Sequence, residues 1–299
     1  MLNLKNCILC GGASFELINR RGMLEKGRKP LKFDNVICRD CGMIFMNPRA
    51  EESDYQRIYA RYENSRYGCE NREEASRLMD TKFSKLILTE PIYDFLKEYL
   101  YGGKRVLDIG CGFGHLSNAF KNKYGCEVAA VEPSDILSEL VREKYGVEVF
   151  NGGLDDFLKS NNRKFNLLIL SHVFEHFADP VEKLNQMKEL LLPGGVIYME
   201  VPNARFFKRP VNYFFDFCHP FSYSPKTFRE LIKKCGYKII KADKNRRYHL
   251  GAVIASANSD YADIDGDAYL QLGGYADIKW YVQKKKIIDA IRGLIYKIC

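Results

Sequence analysis

Lys104 to Gly114 reads KRVLDIGCGFG. Val106, Leu107 and Ile109 form a short apolar run, the pattern of a buried strand in a parallel sheet. Gly110, Gly112 and Gly114 follow at once, and His115 to Lys123 carries a helical pattern. Strand, glycine turn and helix, in that order, build a nucleotide site at the carboxyl end of the first strand of an open α/β sheet. Glycine reaches positive φ and lets a ligand approach the backbone where a Cβ would collide. Asp108, two residues before the first glycine, places a carboxylate at the strand tip, suited to a ligand that carries positive charge.

Outward from that stretch, strands and helices alternate. Arg105–Asp108 is followed by a helix to Lys123, strand Glu127–Glu132, and helix Asp135–Tyr145 capped by Ser134. Glu148–Phe150 and Asn166–Ser171 are the third and fourth strands. Asp179-Pro180-Val181-Glu182 reads as a capped helix start, and Pro193-Gly194-Gly195 as that helix's end before strand Val196–Val201. Tyr237–Ala242 and Leu250–Ala257, joined by the polar KNRR, read as a hairpin. This alternation predicts an α/β fold, a doubly wound, mostly parallel sheet of seven strands ending in an antiparallel hairpin. A dinucleotide fingerprint would space its glycines G-x-G-x-x-G; here the third glycine comes one residue early and His115 stands in its place. Acidic Glu132, about twenty residues past the glycines, suits ribose hydroxyls in either kind of site.

The pattern D-I-G-C-G-F-G with Glu132 behind it resembles the S-adenosylmethionine loop of class I methyltransferases. The resemblance continues through HVFEHFADP after the fourth strand, LLPGGVIYMEVPN (191–203) and SYSPKTFRELIKKCGYKI (222–239), and covers roughly Tyr93 to Ala257. It implies that Asp108, Gly110, Cys111, Gly112 and Gly114 surround the methionyl part, and that Glu132, with Pro133 beside it, binds the ribose. It further implies that Gly153 and Leu154 frame the adenine with Asp155 near its amine. Ser171 and His172 would offer carbonyls to the methionyl amine. Candidate bases for an oxygen or carbon acceptor are His176, His219 and Glu175, at or beyond the carboxyl ends of the fourth and fifth strands. An E-H pair in this place is similar to that of ubiquinone-pathway O-methyltransferases, where a divalent metal joins the acceptor hydroxyl.

The N-terminal part carries a second signal. Cys7-Ile-Leu-Cys10 and Cys38-Arg-Asp-Cys41 are two C-x-x-C pairs, each followed by glycine, and supply the four thiolates of a closed structural zinc shell. Residues 11–37 separate the pairs, a longer interval than a zinc ribbon needs, and Asn19 to Pro30 reads as a projecting loop. Disulfides and a redox pair are the alternatives. The cysteines Cys69, Cys111, Cys126, Cys218, Cys235 and Cys299 lack paired spacing and read as packing residues. The organisation expected is a zinc ribbon (1–48), a helical cover (49–101), an S-adenosylmethionine-binding core (102–258), and an acidic linker with a basic amphipathic C-terminal helix (259–299). Within the cover, Glu51–Tyr62 and Glu73–Tyr101 read as helical, the latter interrupted near Pro91.

With 299 residues, 46% hydrophobic and 28% charged, the chain has the composition of an ordinary globular protein. No stretch reaches a bilayer-spanning apolar length, and MLNLKNCILC lacks the apolar core of a signal peptide, so a cytoplasmic protein with reduced cysteines is expected. A net charge of +8 suits phosphorylated substrates, nucleic acid or anionic lipid without choosing among them. The N/D-P-P-Y/F element of amino-directed nucleic-acid methyltransferases is replaced by SHVFEH, and neither Pro-Cys nor Thr-Cys occurs, which argues against a nucleic-acid substrate. Ribbon plus core also resembles zinc-containing deoxysugar C-methyltransferases, which carry a further large C-terminal domain; only about forty residues follow the core here. The expected acceptor is a small molecule or glycan intermediate, methylated on oxygen rather than carbon, with Arg205, Lys208 and Arg209 placed to meet phosphates of a nucleotide- or lipid-linked sugar. The rivals are an RNA methyltransferase docking through the ribbon and a non-catalytic scaffold. Trp280 to Cys299 has helical apolar spacing with five cations, suited to its own domain, a second subunit or an anionic membrane.

Overall fold

The computed structural model describes residues 2–23, 31–50, 55, 71–80, 90–264 and 267–298. From the N-terminus, β1 (Phe15–Met23), β2 (Leu31–Cys38) and β3 (Ile44–Met46) form an antiparallel meander. Helices α1 (Arg72–Met79) and α2 (Glu90–Leu96) precede the core, with Pro91 in the first turn of α2, where its missing N–H costs nothing. The expected helix over 51–62 lies outside the described residues except for Tyr55, as does the joint at 81–89.

The core then alternates as β4 (Arg105–Ile109), α3 (His115–Asn122), β5 (Glu127–Glu132), α4 (Asp135–Tyr145), β6 (Glu148–Asn151), α5 (Leu154–Ser160) and β7 (Phe165–Ser171). Next come α6 (Pro180–Met187), β8 (Leu191–Pro202), the short α7 (Val211–Phe214) and β9 (Phe221–Ser222). The chain finishes with α8 (Pro225–Lys234), β10 (Tyr237–Asp243), β11 (His249–Ser256) and α9 (Tyr275–Ile298). The main sheet has the order β10-β11-β8-β7-β4-β5-β6, with β4–β5, β4–β7 and β5–β6 parallel and β10–β11 antiparallel. This is the seven-stranded, mostly parallel sheet with an antiparallel hairpin that the alternation predicts. After β6 the chain returns to pair β7 with β4, which makes β4/β7 the switch point where open sheets of this kind bind ligands.

Local chemistry explains the boundaries. Ser134 Oγ accepts the Leu137 N–H at 3.3 Å to open α4, and Asp179 Oδ1 accepts the Glu182 N–H at 2.9 Å to open α6. Pro193-Gly194-Gly195 corrects the sequence reading. The helix has already closed in a 3₁₀ turn at Lys188–Leu190, and the three residues run inside β8. Gly195 is required there by close approach, because a Cβ would sit 2.9 Å from Leu192 O and 3.0 Å from Phe165 O. Asn19 to Met23, expected in a loop, instead extend β1.

The chain divides into two compact units. One comprises Gln56–Val173 and Leu184–Met199; the other comprises Met1–Tyr55, Phe174–Lys183 and Glu200–Cys299. In the first, Leu167 to Leu170 are wholly buried, and Ala75, Met79, Leu140, Val141 and Val149 pack as one cluster. In the second, β3 pairs antiparallel with β9, so the N-terminal meander and the segment after β8 share a four-stranded sheet. The stretch expected as an acidic linker is docked within this unit: Ile264 N–H donates to Ile239 O at 3.0 Å, and Leu270 is buried in a 3₁₀ turn opened by Asp267. Ile278 and Val282 of α9 bury against Ile18, Ile37, Phe207 and Val211 of the same unit.

Candidate active site

In the first unit, β4 delivers the chain into a tight loop at its carboxyl end. All three loop glycines have positive φ, +69°, +54° and +68° for Gly110, Gly112 and Gly114. Their surroundings differ. A Cβ on Gly110 would lie 2.6 Å from Val173 Cγ2 and one on Gly114 2.7 Å from Val141 Cγ2, whereas a Cβ on Gly112 would meet nothing within 4 Å. The outer glycines are close-packed against side chains, and the middle one faces open space. Gly153, at the start of α5, is likewise open.

Glu132, 2% exposed at the end of β5, fixes the loop. Its Oε2 accepts the Gly112 N–H at 2.8 Å and its Oε1 accepts the Ser134 N–H at 2.9 Å. The Glu132 carbonyl accepts from Gly152 N–H at 3.1 Å and from Asn151 Nδ2 at 3.2 Å, tying β5 to the loop before α5.

Asp108 is 2% exposed, and the Ser117 hydroxyl of α3 donates to its Oδ2 at 2.6 Å. Burial pushes its carboxyl up to about 6, partly opposed by that hydrogen bond. The Cys111 thiol is pushed well above its usual value by burial and the nearby charges of Glu132 and Asp108, which makes it a packing group and not a nucleophile. His172, just past β7, holds φ +58°, uncommon for a residue with a side chain. Thus Asp108, Gly110, Cys111, Gly112, Gly114, Glu132, Pro133, Gly153, Leu154, Ser171 and His172 all belong to this one unit. Ser117, missed in sequence, carries only the signal of a small polar residue on the buried side of α3.

The second unit holds the other group. Glu175, His176 and His219 each present a ligand atom, and the three atoms lie within 4.8 Å of one another. The rings of His176 and His219 are 4.9 Å apart, edge to face. His176 Nδ1 is 2.7 Å from Cys218 O. A carbonyl only accepts, so Nδ1 carries a proton in this contact. Glu175 is buried in a 3₁₀ turn at Phe174–His176, and the Tyr223 ring stacks on Phe174 at 5.5 Å. Tyr223, also missed in sequence, has its phenol held well above its usual value by burial and by the Glu175 charge. In the same unit Glu200, 1% exposed, pairs with Arg246 and lies 3.7 Å from His249 Nδ1. Its only sequence signal is a charge inside the apolar run IYMEV.

The four N-terminal cysteines also converge. Cys7 and Cys41 sulfurs are 3.7 Å apart, Cys10 and Cys38 sulfurs 3.6 Å, and all four lie within 4.8 Å of one another. Each C-x-x-C closes the same way: Gly11 N–H donates to Cys7 O and Gly42 N–H to Cys38 O, both at 2.9 Å, with φ of +78° and +84°. The hydrogen bond from Cys41 holds Cys7 down at about 5, while Cys41 is pushed up by that same bond and by burial. Four thiolates so close repel unless a cation joins them.

Comparison with known proteins places the chain in a family. Residues 72–242 match the family described as "Methyltransferase domain". Curated relatives include a ubiquinone biosynthesis O-methyltransferase of Actinobacillus pleuropneumoniae serotype 7, 29% identical over 133 residues, covering 40% of this chain and 56% of that protein. A protein of the same name from Cereibacter sphaeroides is 33% identical over 107 residues, covering 34% of this chain and 43% of that one. The chain therefore spans about half the length of the curated relatives it matches. A crystal structure of the plantazolicin methyltransferase BamL, with a triazolic desmethylPZN analogue and SAH, has a TM-score of 0.53 at 16% identity and covers 69% of this chain and 97% of that one, a likeness of fold. With more than half its length matched to that family, the chain belongs to the methyltransferase-domain family.

Proposed function

We propose that the chain transfers a methyl group from S-adenosylmethionine to an oxygen of a small molecule or glycan intermediate. The observation that carries the reading is Glu132 bound to the Gly112 N–H, beside a glycine whose outer side is open. Both Glu132 oxygens would accept ribose hydroxyls, and Gly153 and Leu154 would frame the adenine. The buried carboxyl of Asp108 would favour the cationic end of the ligand. When bound, S-adenosylmethionine supplies a methyl already activated on a sulfonium. The chain must then remove a proton from the acceptor hydroxyl, and His176 and His219, grouped with Glu175, are the candidate bases. Glu175, His176 and His219 together also suit a divalent cation that would acidify that hydroxyl. The relatives named for O-methylation support oxygen as the acceptor atom. Among the expected phosphate contacts, Arg205 is engaged by Asp277, while Lys208 and Arg209 are exposed.

The four cysteines are proposed to hold structural zinc. A tetrahedron with zinc–sulfur bonds of about 2.3 Å has sulfur–sulfur edges of about 3.8 Å, close to the spacings of the two pairs. All four positions are filled by sulfur, so the ion would shape the fold and not the reaction.

The test is incubation with methyl-labelled cofactor and fractionated cell extract, followed by identification of the labelled product, alongside calorimetry with S-adenosylhomocysteine. The expected result is homocysteine-form binding, an O-methylated product, and a His219→Ala variant that binds normally but turns over 10²- to 10⁴-fold more slowly. Absence of both binding and product would overturn the reading, and normal turnover by His219→Ala would remove that residue from the chemistry.

A further inference from the structure

Helix α9 has two unlike faces. Ile278, Val282 and Lys285 are buried, and Tyr281 exchanges hydrogen bonds with the Phe207 backbone at 3.0 and 3.1 Å. The spacing 278, 281, 282, 285 is one helical stripe, and it settles how the helix sits on its own unit. Lys285 is turned inward, where it reaches Asp289 at 3.1 Å and Lys208 O at 3.3 Å. Asp289 in turn accepts the Val211 N–H at 2.9 Å, so α7 abuts α9 at this point.

The opposite face is apolar and cationic together. Trp280 is 59% exposed and Ile287 62%, one heptad apart on the same side. Lys284 lies between them, its ammonium 4.8 Å from the Trp280 ring, and Lys286 is exposed beside it. Tyr213 of α7 is 65% exposed. The nearby carboxylates are engaged: Asp277 by Arg205, and Asp289 by Lys285 and Val211. In sequence the same spacing continues through Ile291, Leu294 and Ile298, with Arg292 and Lys297 among them.

We propose that this face of α9 docks on an anionic lipid surface. Trp and Tyr prefer the headgroup level of a bilayer, Ile enters the acyl boundary, and lysines extend their ammonium groups to anionic headgroups. Charge selects the lipid over a second copy of the chain: a two-fold interface through this face would set Lys284 and Lys286 against their own symmetry mates, with no exposed carboxylate among the described residues of the face to answer them. No helix among the described residues is long and apolar enough to cross a membrane, so the contact is one of lying on the surface. This inference is independent of the methyl-transfer reading.

The chain has one tryptophan, Trp280, which makes the test direct. Full-length protein is titrated with vesicles of 30% phosphatidylglycerol in phosphatidylcholine and with pure phosphatidylcholine, following Trp emission and co-sedimentation. The expected result is a blue shift and sedimentation with the anionic vesicles alone, weakened by salt. Lys284→Glu/Lys286→Glu is expected to weaken partitioning at least about 30-fold, and Ile287→Asp to weaken it as well, with S-adenosylhomocysteine binding unchanged. Equal binding to neutral vesicles, binding to neither, or a concentration-dependent dimer that shields Trp280 in the absence of lipid would each overturn the proposal.

Discussion

Glu132 and Gly112 are joined by a 2.8 Å hydrogen bond from the glycine N–H to Oε2, twenty residues apart in sequence and fixed across the ends of two adjacent strands. The contact sets the shape of the loop before any ligand arrives. The second carboxylate oxygen does the same for Ser134 at 2.9 Å. Each bond is charge-assisted and therefore worth more than a neutral one, on the order of 1.5 to 3 kcal/mol.

Glu132→Ala is accordingly expected to leave two half-buried N–H groups without their acceptor and to remove the ribose contact proposed for this residue. Affinity for S-adenosylhomocysteine should fall at least about 100-fold by calorimetry. Glu132→Gln retains one acceptor and turns an amide donor toward one of the two N–H groups, so it should bind weakly as well. Tight binding by the Gln variant would show that the charge is dispensable.

The cysteine cluster is expected to carry one zinc per chain, measured by elemental mass spectrometry on protein purified without chelator. Cys41→Ser should lose the metal, and so should treatment with a strong chelator at neutral pH. Because Cys38 ends β2 and the Cys38–Cys41 turn leads into β3, metal loss should loosen the join between these strands and lower the thermal midpoint of the unit containing them. Zinc-free protein of unchanged stability would remove the structural role.

Asp108 gives a stability dependence on pH whose sign is opposite to that of a paired carboxylate. Its folded value, about 6, is raised above its ordinary value by burial. Folding is thus favoured by its proton: the contribution is fully present below about pH 4 and is lost as pH rises through 6. The ligand-free protein should therefore gain on the order of 2 to 3 kcal/mol above pH 6 from Asp108→Asn, less whatever the Ser117 hydrogen bond contributes, and little at pH 4. Urea denaturation at the two pH values measures it. The same substitution should weaken cofactor binding; if it stabilises the apo protein and leaves binding intact, Asp108 is a structural carboxyl only.

What was legible in the sequence follows the range of the interactions. Strand β5 and helix α4 begin and end where the sequence places them, because Ser134 caps locally and apolar spacing fixes the strand. The C-x-x-C knuckles are equally local: each is a five-residue turn ending in a glycine of positive φ. The pairing of β3 with β9 joins residues near 45 and 221, and no short-range pattern announces it. Ser117 under Asp108 and Tyr223 beside Glu175 were invisible for the same reason, since each is an unremarkable residue until the fold brings it to a carboxylate. Pro193-Gly194-Gly195 misled because a sequence of that composition ordinarily breaks a helix, while here the chain had already left it. Lys285 lies inside a run of three lysines that reads as solvent-facing, yet helical phase turns it inward to Asp289.

The loop glycines offer the sharpest separation of folding from binding. Gly114 and Gly112 both hold positive φ, so alanine at either costs about 1 kcal/mol in backbone strain. At Gly114 the new Cβ would also lie 2.7 and 2.8 Å from the two γ-carbons of Val141, a β-branched, fully buried side chain with no room to turn. Gly114→Ala should therefore destabilise the fold by about 2 to 4 kcal/mol in urea denaturation. At Gly112 the Cβ meets nothing within 4 Å, and Gly112→Ala should cost no more than the strain. If the open side of Gly112 is where the ligand lies, that same methyl occupies the ligand's place, and S-adenosylhomocysteine affinity should drop by at least about tenfold in a protein that is still folded. A Gly112→Ala variant that binds as the parent does would place the ligand elsewhere.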